Sequence, residues 1–199
     1  MKFHKFISVL LHPIVIPTIG ALLFLAITPD IIIPQRQYLL LTIIFVSTYI
    51  VPLIILLVLK ALGVIDSLKV KSIRERKVPL FIMLIIFYVL GRLLFNIPAF
   101  KELGLLFYGT NISLVVIYFL FFFKIKTSLH VMSISSALGF FLIFGNQHSI
   151  SIIPITLILI LLCGLLASAR LHLKAHTKLE IYLGFFLGVF SQFFIFYLL

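Results

Sequence analysis

Between two of the chain's most hydrophobic stretches lies ARLHLKAHTKLE, residues 169–180, which gathers Arg170, His172, Lys174, His176, Lys178 and Glu180 at one membrane edge. Basic residues beside a span ordinarily serve as anchors, but imidazoles and a carboxylate anchor poorly, so the string suits chemistry. A neutral imidazole is a nucleophile near pH 7, and its protonated form donates to a leaving oxygen. Two further strings carry compatible groups: KVKSIRER (69–76) supplies Lys69 and Arg76, and TSLH (127–130) supplies Ser128 and His130. Phosphoryl transfer asks mainly for fixed cations and amide donors around three charge-bearing oxygens. Lys69, Arg76 and Arg170 offer the cations, the guanidinium as a bidentate fork and the ammonium as a point charge. With Thr127 or Ser128 capping a helix, the N–H groups near Leu129 and His130 would meet an anion at that helix's positive end, and Ser128 would add a hydroxyl donor.

The elements that must position these groups are membrane spans. A chain of 199 residues with mean hydropathy +1.34 and 11% charged residues lies outside the soluble globular class. The expected fold is an all-α polytopic transmembrane bundle of six to seven spans, one domain over residues 1–199. Segments long enough to cross, or nearly so, fall at about 6–27, 37–60, 79–97, 104–123, 128–146, 150–168 and 179–199. The first resembles a signal peptide in its basic tip, but its apolar run is too long and no A-x-A site follows, which predicts a retained span. Pro98 marks a tight turn between the third and fourth spans. Gly184 and Gly188 form a small-xxx-small pair expected to admit a close helix neighbour, and Asn111 and Gln192 are expected to bond between helices. With seven spans, the N-terminus and the loops carrying all three strings share one side. The net charge of +11 is then concentrated in that side's short loops. Its partners would be membrane lipids with anionic headgroups and a phosphate substrate, not nucleic acid. Cys163, the only cysteine, excludes an internal disulfide or thiolate metal site.

In order and spacing the three strings resemble the type-2 phosphatidic-acid phosphatase superfamily of membrane phosphatases and their haloperoxidase relatives. That pattern is a lysine, six residues and Arg-Pro; then Pro-Ser-Gly-His; then Ser-Arg, five residues, His, three residues and Asp. Lys69 and Arg76, Ser128 and His130, and Arg170, His176 and Glu180 keep the spacing and chemical type. Lys77, Thr127, Leu129, Ala169 and Glu180 depart from the pattern, which covers about residues 69–188. The resemblance implies that His176 attacks phosphorus to give a phosphohistidine. It also implies that His130 protonates the departing group and later activates water, while Glu180 holds the second nitrogen of His176. The implied substrate is a lipid phosphate or lipid diphosphate, handled without a metal or other cofactor.

Several residues have a second reading. Thr177-x-x-Glu180 is also a capping box for the last span, a role compatible with holding His176. His172 and His176 are four residues apart, as two metal ligands on one helix would be, but the H-E-x-x-H glutamate and a third ligand are missing. His4, His12 and His148 lie outside the matched strings and are assigned no chemistry. The altered motifs also allow a catalytically degenerate homologue that binds or moves anionic lipid. A transporter is disfavoured because Arg92 alone lies well within a span. The expected location is a bacterial inner membrane. For the site's side the family habit implies the outer face and the positive-inside rule the cytoplasm.

Overall fold

The computed structural model describes residues 2–28, 34–68, 70 and 72–199. Among these residues there are only helices and their connections, and six helices are long and apolar enough to cross a membrane. In chain order the elements are α1 (Lys2–Leu10), α2 (Ile16–Ile27) and α3 (Pro34–Phe45), which continues through a π-turn at Val46–Ile50 into α4 (Val51–Ala61). Then follow α5 (Ile73–Phe95), α6 (Lys101–Leu120), α7 (Leu129–His148), α8 (Ile153–His172) and α9 (Lys178–Leu198). Long continuous apolar runs suit helices, which satisfy every backbone group within the segment where lipid cannot.

The expected first span over 6–27 is two helices, not one. Pro13 and Pro17 cannot donate to the helical ladder, so α1 ends at Leu10, and the N–H groups of Val15 and Ile16 turn back on the His12 carbonyl (2.8 and 3.3 Å). With 12 residues, α2 is only about 18 Å long. It nevertheless runs beside α7 for most of the depth: His12 meets His130 at the start of α7, and Phe24 meets Phe144 near its end (centroids 5.4 Å). The N-terminal helix thus stays at the end of the bundle where α7 and α9 begin. There Ser8 binds Arg170, and His4 stacks on His172.

Buried on nearly all sides, α7 forms the centre. It packs most intimately on α9, as the glycine spacing predicts. A Cβ at Gly184 would lie 2.7 Å from the Ser128 carbonyl oxygen, and one at Gly188 would lie 2.1 Å from Ser135 Oγ and 2.4 Å from the Met132 oxygen. On its other flank α9 meets α6 through a polar clasp. Gln192 donates to the Leu106 carbonyl (3.2 Å) and Thr110 Oγ1 (3.3 Å), and Ser113 donates to Ser191 Oγ (2.7 Å). Gln192 therefore bonds between helices as expected, whereas Asn111 Oδ1 is buried without a partner. Pro98 opens the short 3-10 turn that joins α5 to α6.

Candidate active site

Each of the three strings lies at a helix start or end, and caps fix their approach. Ser72 caps α5 in a reciprocal box with Glu75 (3.2 Å to the Glu75 N–H, 3.0 Å from the Ser72 N–H to the carboxylate). That places Arg76 in the first turns of α5. Ser128 caps α7 and accepts from the Val131 N–H (3.5 Å). Thr177 caps α9, with the Glu180 N–H donating to its hydroxyl (3.3 Å) and the Thr177 N–H donating back to the carboxylate (3.4 Å).

Bonds to backbone carbonyls join the strings to each other. Arg76 Nε donates to the Val70 carbonyl (2.9 Å) and Nη1 to the Thr127 carbonyl (3.2 Å), joining the first string to the second. The Ser128 N–H donates to the Glu180 carbonyl (3.0 Å) and Lys126 Nζ to the Ala175 carbonyl (3.3 Å), joining the second to the third. Arg170 Nη1 donates to Ser8 Oγ (2.7 Å), drawing α1 onto the group.

At the centre, His176 Nδ1 lies 2.6 Å from Glu180 Oε2. A carboxylate partner keeps the proton on Nδ1 and leaves the Nε2 lone pair available. Glu180 also completes the capping box with the same oxygen, so both readings of this residue hold together. The pair does not need a continuous helix. His176 precedes the cap, outside α9, and its side chain folds back across the first turn. His176 is 8% exposed, and burial lowers its pKa to about 4. The hydrogen bond to Glu180 opposes that shift, while Arg170, Arg76 and Lys126 add to it. The ring is consequently neutral and nucleophilic at pH 7. Lys126 is likewise lowered, by burial and then by Arg76.

Arg76, Leu129, His130, Arg170 and His176 all line one cavity of about 200 Å³. Its polar end continues into an apolar interior between α2, α4, α5, α6 and α7, reaching Phe87, Phe107 and Leu114. The cavity is therefore cationic and imidazole-lined at the helix starts and apolar along the bundle. Arg170 Nε is buried without a protein partner, an unused donor on one of its guanidiniums. Ser128 is brought to the site but does not line the cavity. It is fully buried, and its hydroxyl oxygen accepts the cap bond from the Val131 N–H, the capping role expected of Thr127 or Ser128. Lys69 lies outside the described residues. His172 is exposed and stacked on His4 (centroids 4.0 Å, 15° between planes), away from the cavity. Among the described residues no three side chains are grouped to hold a metal ion.

Sequence reasoning missed His12 and Ser8. His12 enters the cavity from the break after α1, and its ring meets His130 edge-on at 4.9 Å. Ser8, on α1, reaches the same group through its hydroxyl, which accepts from Arg170. The pair of prolines in HPIVIP was the available signal, since it interrupts an otherwise spanning apolar run.

Set beside known proteins, the chain matches no family model, no curated protein and no solved structure. What fold and site define together is therefore a class only. This is an all-helical protein with six potential membrane-crossing helices among the described residues and a cationic, imidazole-bearing cavity at one end.

Proposed function

We propose that the protein is a membrane-embedded phosphatase that releases phosphate from a lipid phosphate or lipid diphosphate through a phosphohistidine. The reading is carried by the His176–Glu180 pair (2.6 Å) opening onto a cavity that also holds Arg76, Arg170 and His130. His176 Nε2 attacks phosphorus, the bond from phosphorus to the departing oxygen breaks, and His130 passes to that oxygen a proton taken from the substrate's own phosphate. The phosphorylated ring is cationic, with hydrogen still on Nδ1, and Glu180 stabilises it. Water then attacks the same phosphorus, His130 takes a proton from it, and inorganic phosphate leaves as the P–N bond breaks. Arg76 and Arg170 neutralise the charge on the transferring oxygens, so chelators should leave turnover unchanged.

The test is release of inorganic phosphate from purified protein across polyprenyl diphosphate, phosphatidic acid, phosphatidylglycerol phosphate and lipid A phosphates. Release from at least one lipid in EDTA, with none from a folded His176→Ala variant, is the expected result. Binding of lipid phosphate without release would instead assign the degenerate, lipid-binding role. Wild-type turnover in His176→Ala would overturn the mechanism.

A further inference from the structure

The cavity contains an imidazole that this reaction scheme leaves unused. His12 lies between α1 and α2, beside His130 and on the same cavity wall as Arg76, Arg170 and His176. Its place is fixed by the proline break and by the docking of α1 through Ser8 and Arg170. The tautomer is fixed as well. The Ile14 N–H donates to His12 Nδ1 (3.4 Å), so a neutral ring carries its hydrogen on Nε2. Burial and then Arg170 lower its pKa to about 4, which keeps the ring neutral at pH 7. A neutral donor adds a hydrogen bond to an anion without repelling the neighbouring guanidiniums.

We propose that His12 is a further ligand of the bound phosphoryl group, donating its Nε2–H to a non-bridging oxygen. The inference rests on the phosphate reading above. It makes the N-terminal helix and its break part of the binding site, with His12 acting on the substrate directly and not merely bracing His130.

Three variants of the full-length protein separate these roles. His12→Gln keeps an amide N–H close to the Nε2 position, His12→Asn places one close to Nδ1, and His12→Phe keeps ring packing with no donor. Binding of inorganic phosphate to each detergent-purified protein is measured by calorimetry, alongside turnover. The Kd should rise roughly tenfold in His12→Phe and His12→Asn, with His12→Gln recovering most of the loss. Equal affinity in all four proteins, or equal loss in Gln and Phe, overturns the role while leaving the phosphate site standing. Should the Phe variant fail to fold, the Gln and Asn pair gives the same decision. A wild-type protein that neither binds phosphate nor releases it would instead remove the underlying reading, and this one with it.

Discussion

At Glu180 one carboxylate oxygen meets both the His176 ring and the Thr177 N–H. Glutamine can still accept from the Thr177 N–H but supplies no charge to a cationic ring. Glu180→Gln should therefore lower turnover by roughly a hundredfold or more while leaving the melting temperature nearly unchanged. Kinetics and a thermal melt on the same preparation check both halves, and unaltered kinetics would leave Glu180 only its cap. His176 also links the site to stability. Its folded pKa of about 4 lies below the ordinary 6.5, so the unfolded chain binds the proton more readily. The stabilisation is complete above about pH 6.5 and is lost as pH falls through about 4, a difference on the order of 3 kcal/mol. The melting temperature should fall across that window, and less steeply in His176→Asn, whose amide keeps a donor for Glu180. Parallel profiles for the two proteins would refute the linkage.

Between elements, the decisive contact is α7 against α9. Gly184 brings α9 onto the Ser128 carbonyl, and the Ser128 N–H returns to the Glu180 carbonyl, so helix contact sets the separation of His130 from His176. Gly188, one turn deeper, has backbone and Ser135 within 2.9 Å of any added Cβ. Gly188→Ala should cost about 1–3 kcal/mol, because the atoms it strikes include a helix backbone that cannot swing aside. Gly164 on α8 has nothing within 4 Å of an added Cβ, so Gly164→Ala serves as the control and should melt at or slightly above the wild-type temperature. Equal melting of the two variants would show that α7 and α9 do not depend on that contact.

For the whole molecule the open quantity is direction. Among the described residues Lys2, Lys5, Lys60, Arg74, Lys77, Lys124, Lys126, Lys174 and Lys178 lie at the site end or in the loops that lead to it, and Arg36, Arg92 and Lys101 at the other. The positive-inside bias predicts that the polar end of the cavity lies on the cytoplasmic side and Leu199 outside. A reporter fused after Leu199 should be active only on the outer side. Activity confined to the cytoplasm would mean that the site faces outward, as the family resemblance implies.

Composition and pattern alone determined the helical class, most span positions, the α5–α6 turn, the Gly184 and Gly188 contact and the Thr177 box, because each depends on a local period or a residue's own backbone preference. The same spacing put Arg76, His130, Arg170, His176 and Glu180 forward as one group. Tertiary structure decided the rest. It showed His176 reaching Glu180 from outside the helix, and the first apolar run folded at two prolines so that Ser8 and His12 reach residues more than a hundred positions away. Hydropathy averages a segment and cannot register one missing N–H. A contact across the bundle exists only after α7, α8 and α9 have packed, and no local window of sequence contains that packing.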